Sequence, residues 1–206
     1  QEDLQQVLAG ALAVDQDLDV HASGTVALNA LSGVLVAKGS FALDLGQVST
    51  SAPSNGVSFT NASAVSLTLS NVAVFVGTGG SLSNATATAN VVNGTLGFAG
   101  TVTTLKVVSI KNPNAGNALS YLGVEATGLT ADLIGLESVL EFHASGVGVK
   151  VNKATDSDNN AATTPAKLDW ATLTTTGMPL QSLAIGFATD VQASGTVALN
   201  ALSGVL

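Results

Sequence analysis

The stretch ASGTVALNALSGVL at residues 22–35 occurs a second time, letter for letter, at residues 193–206. The offset between the two copies is 171 residues (193 − 22 = 171). Of the three residues immediately upstream of each copy only one differs, His21 in the first and Gln192 in the second. An identity of this length indicates duplication, and repeated segments of fixed period indicate modules that stack or follow one another.

The repeat divides the chain into three parts. Residues 1–20 are interpreted as the end of a preceding repeat or a short helix leading into a strand. Residues 21–191 form one full repeat of about 171 residues, and residues 192–206 begin the next one. The sequence therefore predicts one building block of a longer array.

Alternation of apolar and polar residues predicts that most of the chain forms β-strands. One apolar row runs from Val65 to Leu69 and another from Val72 to Val76, each with a period of two residues. A period of two places the apolar side chains on one face of a strand. The phase slips between the two rows, at residues 70–71, which predicts a β-bulge.

Two all-β architectures fit these strands. The first is an elongated β-solenoid-like repeat, in which Val, Leu, Ala and Phe fill a narrow core and Gly, Asn and Ser turn the corners. The alternative is a series of tandem antiparallel β-sandwiches, each closing its own core. The chain has no Cys and one Trp, Trp170, so it lacks the landmarks of immunoglobulin domains. We expect Trp170 to anchor the core beneath the long polar loop of residues 152–166.

Composition excludes several classes of partner. Charged residues make up 10% of the chain and the net charge is −8, which leaves no basic stripe to neutralise phosphate and predicts no nucleic-acid partner. The longest apolar run near the start, residues 7–14, is too short to cross a bilayer, so we expect no membrane span.

One loop carries the spacing of a cation site. Asp156, Asp158 and Asn160 follow a D-x-D-x-N pattern, which supplies the alternate oxygen ligands that Ca²⁺ prefers. The rest of an EF-hand loop is missing, since neither the glycine at the sixth place nor the glutamate at the twelfth is present. The alternative is a polar surface loop without an ion.

A second acidic cluster is a weaker cation candidate. Asp15, Asp17 and Asp19 alternate and would share one strand face, where they could hold a cation or keep a solvated edge from aggregating. The second copy of the repeat retains only the third of these, as Asp190. That loss argues against a metal site in every repeat.

The sequence predicts no catalysis. His21 and His143 each precede an Ala-Ser-Gly triplet, but two histidines are too few for a transition-metal site and a surface position is expected for both. No Gly-x-Ser-x-Gly nucleophile elbow occurs. Asn61, Asn84 and Asn93 match the acceptor pattern for N-glycosylation, which such an Asn-, Ser- and Thr-rich chain also produces by chance.

In residue composition and repetition, three segments resemble the long repetitive regions of giant bacterial secreted and cell-surface proteins. These are SNVAVFVGTGGSL (residues 70–82), residues 122–160 and the repeated ASGTVALNALSGVL. The resemblance implies adhesion, matrix or filament roles outside the cell, and it transfers no active-site residue. We therefore predict a structural repeat segment of an extracellular fibre, sheath or giant surface adhesin, whose partners are neighbouring copies. The alternative is a Ca²⁺-stabilised adhesion module that binds surface carbohydrate.

Overall fold

The structure is a computed structural model that describes residues 18–112, 118–157 and 165–201. Most of residues 1–20, with Asp15 and Asp17, and the last five residues of the second repeat copy lie outside the described residues.

Within these ranges the chain is built from seven long strands and three short ones. The long strands are β1 (Leu18–Ala30), β2 (Leu35–Thr50), β3 (Ala62–Thr78), β6 (Leu96–Asn112), β7 (Leu119–Ile134), β8 (Leu140–Asp156) and β10 (Val191–Ala201). The short strands, numbered with them in chain order, are β4 (Ser81–Leu82), β5 (Val91–Val92) and β9 (Thr175–Gly177). The all-β prediction is confirmed.

The long strands form one antiparallel sheet in the order β1-β2-β3-β6-β7-β8-β10. Successive long strands along the chain are neighbours in the sheet, so the described strands make a meander, and the winding of a solenoid is not seen among them. Strand β9 pairs with the end of β2, while β4 and β5 form a separate small hairpin. Among the described strands, β1 and β10 lie at the two edges.

A tight turn at Leu31–Gly33 joins β1 to β2. Leu31 and Ser32 have φ angles of 54° and 55°, in the left-handed region. Two successive residues in that region match the right-handed twist of antiparallel strands, which is why such turns are preferred in hairpins. The turn sets the β1–β2 register, in which Ala30 lies opposite Leu35.

The sheet has one apolar and one polar face. Alternation along each strand separates the two sets of side chains, and the register aligns them from strand to strand. The apolar face includes Val26, Leu28, Phe41, Leu43, Leu67, Leu69, Leu105, Val107, Val124, Leu129, Val149, Val151, Val197 and Leu199. The polar face includes His21, Asp44, Ser66, Lys106, Glu125, Lys150 and Gln192.

The predicted bulge is confirmed and belongs to a row that crosses the sheet. Asn71 in β3 has a φ of 52°, Gly128 in β7 a φ of 63° and Gly146 in β8 a φ of 59°. The pairing registers shift at this level between β2 and β3, between β7 and β8, and between β8 and β10. Extra residues in neighbouring strands compensate one another, so the apolar and polar faces continue past the row.

The main core lies on one half of the polar face. Residues 165–190, which we call the cover segment, connect β8 to β10 and pack across the ends of the strands. Its fully or nearly buried side chains are Leu168, Trp170, Met178, Leu183 and Ile185, which meet Val48, Val108, Ile110 and Tyr121 of the sheet. Trp170 is only 4% exposed, so its predicted place in the core is confirmed. The predicted loop of residues 152–166 begins later than expected, because residues 152–156 continue β8. Residues 158–164 lie outside the described residues, so the position of Trp170 beneath the loop stays a prediction.

The apolar rows do not form the core that the sequence predicts. Val26 and Phe98 are each 51% exposed, and Val197 is 61% exposed. The residues that interrupt polar runs on the other face, such as Val108 and Ile110, are buried instead because the cover segment lies there. Periodicity distinguishes the two faces of a strand but does not identify the face that another segment covers.

Candidate functional site

The repeated sequence forms both edges of the sheet. Six antiparallel steps separate β1 from β10, so the two strands run in the same direction. Equivalent residues also point to the same face, since Val26 and its counterpart Val197 both lie on the apolar face. Strand β1 pairs with β2 through one of its edges, and β10 pairs with β8 through the opposite edge.

The registers show how one sequence serves two different neighbours. Ala22 of β1 lies opposite Leu43 of β2, and its counterpart Ala193 of β10 lies opposite Val149 of β8. The edge that β1 leaves free among the described strands is therefore the edge through which the same sequence, as β10, pairs with β8. An exposed edge of this kind is a template for another strand.

A glycine in the repeated strand permits both pairings. A Cβ added to Gly24 would meet the ring of Phe41 at 3.4 Å, an ordinary contact. A Cβ added to the equivalent Gly195 would lie 2.6 Å from a side-chain carbon of Val147 and 2.9 Å from its Cα. The close approach to β8 thus requires glycine, while the approach to β2 only accommodates it.

Two exposed histidines bridge neighbouring strands on the polar face. His21 Nδ1 lies 2.5 Å from Asp44 Oδ1, and His143 Nδ1 lies 2.7 Å from Asp132 Oδ1. Their side chains are 54% and 58% exposed, as predicted for surface positions. Asp132 is exposed as well, so the second pair contributes little stability, whereas Asp44 is buried and His21 supplies its hydrogen-bond partner. We interpret both pairs as cross-strand contacts.

Asn152 fixes the cover segment to the sheet. This side chain is 2% exposed, and its amide nitrogen donates to the carbonyls of Leu168 at 2.8 Å and Gly186 at 3.1 Å. Its amide oxygen accepts from Trp170 Nε1 at 2.9 Å. One amide therefore satisfies an indole N–H and two backbone carbonyls in the core.

Charged residues beside Asn152 also bind the backbone of the cover segment. Lys106 Nζ donates to the carbonyl of Ser182 at 2.9 Å, and Lys150 Nζ donates to that of Ala184 at 2.6 Å. Glu125 Oε2 accepts from the backbone nitrogen of Ala184 at 3.0 Å. These charges hold the covering chain in place, which is a structural use of the few charged residues that the sequence contains.

The proposed cation ligands are only partly described. Asp156 ends β8, whereas Asp158 and Asn160 lie outside the described residues. Asp19 lies in β1, but its side chain is not described. In the described ranges no group of three or more His, Cys, Asp or Glu side chains could hold a metal ion. The Ca²⁺ site at Asp156, Asp158 and Asn160 stays a prediction.

The three glycosylation patterns lie at the surface. Asn61, Asn84 and Asn93 are all exposed. Asn84 Oδ1 accepts from the backbone nitrogen of Thr86 at 3.0 Å and so stabilises its own turn. Their use as glycan acceptors stays a prediction.

Two titratable groups differ from their ordinary behaviour. Burial raises the pKa of the Tyr121 phenol above 10.0, and its hydroxyl has no hydrogen-bond partner among the described residues. The backbone N–H of Gly135 donates to Glu137 Oε1 at 2.8 Å and lowers the pKa of that exposed carboxyl. Tyr121 lies in the core, and Glu137 lies in the turn between β7 and β8.

The apolar face carries a groove that the sequence analysis missed. It has a volume of about 440 Å³ and is formed by the first three strands, with Val26 and Leu28 of β1, Phe41 of β2, and Leu69 and Val72 of β3 among its walls. Small residues, including Gly39, form its floor. Its location depends on the register of three strands, which the sequence alone does not provide.

No helix in the described part of the chain has the length and apolar character needed to cross a membrane. Comparison of the chain with protein-family models, with curated proteins and with solved structures found no match.

Proposed function

We propose that this chain is a structural repeat unit of an extracellular fibre, sheath or giant surface adhesin, and that it performs no catalysis. In this proposal the strand that ends one unit as β10 is also β1 of the next unit. The array is then elongated, as expected of a solenoid-like repeat, because successive units extend one continuous sheet. Partners are neighbouring copies of the same repeat.

The pairing of the two edge strands carries the proposal. Strands β1 and β10 share their sequence, direction and face, and they use opposite edges. Superposing β10 of one unit on β1 of another joins β8 of the first to β2 of the second without changing any described pairing. The free edges are satisfied, which removes the aggregation hazard of an exposed strand.

The geometry gives the proposed array a defined axial repeat. Each unit contributes six long strands, β1, β2, β3, β6, β7 and β8, and neighbouring strands are about 4.8 Å apart. One repeat therefore extends the sheet by roughly 29 Å. Tension along this axis is shared by all the hydrogen bonds of each inter-strand ladder, which suits a load-bearing role.

A tandem protein tests the proposal. Inserting one additional copy of residues 22–192 gives a chain with one more repeat. We expect its sheet to widen by roughly 29 Å across the strands, while the dimension along the strands, about 55 Å for strands of 17 residues, stays the same. A molecular envelope from X-ray scattering measures both dimensions. Hydrogen exchange should also show protection of the internal copy of β1 at both edges. A chain that behaves as two hinged particles, or an internal β1 that exchanges as fast as the terminal one, would refute the shared sheet.

A further inference from the structure

The apolar face extends across all seven long strands of the sheet. Seven strands about 4.8 Å apart, with roughly eleven residues each at about 3.3 Å, define a surface of roughly 1,200 Å². The largest apolar patch on a typical monomer is about 300–600 Å². Exposed residues are spread across this face, from Leu28 of β1 to Leu199 of β10. A surface of this size marks an interaction site.

The face is shaped to receive a small apolar ligand. Its groove has a volume of about 440 Å³, near the lower end of the range of roughly 300–1,000 Å³ for small-molecule sites. On the same face the rings of Phe98 in β6 and Phe142 in β8 meet at 6.2 Å, although β7 lies between these strands. These two side chains therefore lean together above the sheet, outside the groove.

The charges on this face have a single sign. Lys38 also lines the groove, but its Nζ donates to the carbonyl of Thr88 and to Asn90 Oδ1 and so is held away from it. The charged side chains that the described strands direct to the apolar face are Lys111 and Lys153, both exposed, at one end of β6 and β8. Lys111 lies opposite Ser63, four residues along β3 from Leu67 at the start of the groove. That separation is about 13 Å along the strand. The face therefore combines an apolar groove with a cationic border.

We infer that this face binds a long-chain fatty acid, with the acyl chain in the groove between β1 and β3 and the carboxylate near Lys111. Burial of the chain supplies the binding free energy, and the lysines select an anionic head. A second copy packed on the same face explains these features less well. A second copy would cover Lys111 and Lys153 but leave the groove unfilled, and it would place the lysines of both copies in one interface.

Displacement of a fluorescent fatty acid, cis-parinaric acid, tests the inference on the full 206-residue chain. Palmitate, hexadecanol and hexadecyltrimethylammonium share one chain length and differ in the charge of the head. We expect palmitate to displace the probe at the lowest concentration and the cationic amphiphile at the highest. Equal displacement by all three would overturn the role given to the lysines.

Matched variants locate the site. Val26→Asp places a carboxylate in the groove, and Thr25→Asp places the same carboxylate on the opposite face of the same exposed strand. Ala37→Phe fills the groove without adding charge. We expect Val26→Asp and Ala37→Phe to weaken palmitate binding by about tenfold or more, and Thr25→Asp to leave it unchanged. Circular dichroism identifies any variant that has lost its fold.

Two further variants test the border. Lys111→Gln with Lys153→Gln should reduce the preference for palmitate over hexadecanol. Lys106→Gln, which removes a charge from the polar face, should not, and circular dichroism checks that loss of its bond to Ser182 leaves the fold intact. Absence of displacement by any probe overturns the inference. Concentration-dependent dimerisation that Val26→Asp abolishes, with no palmitate binding, would assign the face to a second copy instead. Because the assay uses one unit, its outcome is independent of the tandem experiment.

Discussion

Replacing Asn152 by leucine should detach the cover segment from the sheet. Leucine has a similar size, so the substitution removes the hydrogen bonds without leaving a large cavity. The amide of Asn152 currently satisfies Trp170 Nε1 and the carbonyls of Leu168 and Gly186. All three groups would keep their buried positions but lose their partner, since leucine can neither donate nor accept a hydrogen bond.

The expected cost follows from these three groups. A buried polar group left without a partner costs about 1–3 kcal/mol. Three such groups give roughly 3–6 kcal/mol when entry of water satisfies part of them. A typical domain has a free energy of unfolding of about 5–15 kcal/mol, so this loss would remove much of the stability of the covered half of the sheet.

Trp170 fluorescence measures the effect, because it is the only tryptophan and is 4% exposed. Unfolding in urea exposes Trp170 and moves its emission to longer wavelength. In Asn152→Leu this change should occur at a much lower urea concentration than in the parent protein. Asn200→Leu is the matched control, since Asn200 is exposed and donates only to Glu141, and it should stay within about 0.5 kcal/mol of the parent.

A double variant separates hydrogen bonding from packing. Trp170→Phe removes the indole N–H that Asn152 satisfies, so the two substitutions together should cost less than the sum of their separate effects. Circular dichroism follows the variants that lack tryptophan. An Asn152→Leu protein as stable as the Asn200→Leu control would refute the reasoning.

Two other predictions concern the edges and the core. Gly195→Ala should destabilise the β8–β10 ladder by about 1–3 kcal/mol, because the new Cβ overlaps Val147. Gly24→Ala should be neutral or slightly stabilising. Hydrogen exchange of the edge amides distinguishes the two variants, and equal protection in both would contradict this prediction. Tyr121→Phe should be neutral or stabilising by up to about 1 kcal/mol below pH 10.0, because the lost hydroxyl has no described partner. The raised pKa of Tyr121 means that the folded chain holds this proton more tightly than the unfolded chain does. This contribution to stability is present below the ordinary pKa of tyrosine and is lost as the pH rises through the raised pKa of Tyr121. Tyr121→Phe should therefore lose less stability at alkaline pH than the parent protein in melting experiments. Equal losses in the two proteins would disprove this prediction.

Local patterns indicated the long strands and a position where one of them bends, but the apolar residues of the cover segment, such as Leu168 and Leu183, pack in the core without forming strands. The phase slip at residues 70–71 correctly indicated a bulge, because a single extra residue exchanges the faces of a strand. The choice between solenoid and sandwich was not determined in this way. It depends on which strands pair, and the alternation around Phe41 or Leu69 is the same whether the neighbouring strand is parallel or antiparallel.

For the same reason, the candidate sites differ in how well the sequence could predict them. The edges could be anticipated, since an exact repeat implies that one strand has equivalent neighbours in successive units. The groove could not, because Val26, Phe41 and Leu69 are distant in sequence and meet only through the register of three strands. The role of Asn152 was equally hidden, because a buried asparagine in β8 is recognisable only after the cover segment is placed above it.

The glycine of the repeated strand connects the fold to the proposed array. In the single chain, Gly24 contacts Phe41 across one edge and Gly195 approaches Val147 across the other. In an array both neighbours would flank the same glycine, which would then lack room for a side chain on the β8 side and face an aromatic ring on the β2 side. Alanine at an internal copy should consequently be as harmful as Gly195→Ala, even though Gly24→Ala is tolerated at the free edge. A tandem protein in which the internal substitution has no effect would show that the shared strand does not contact both neighbours.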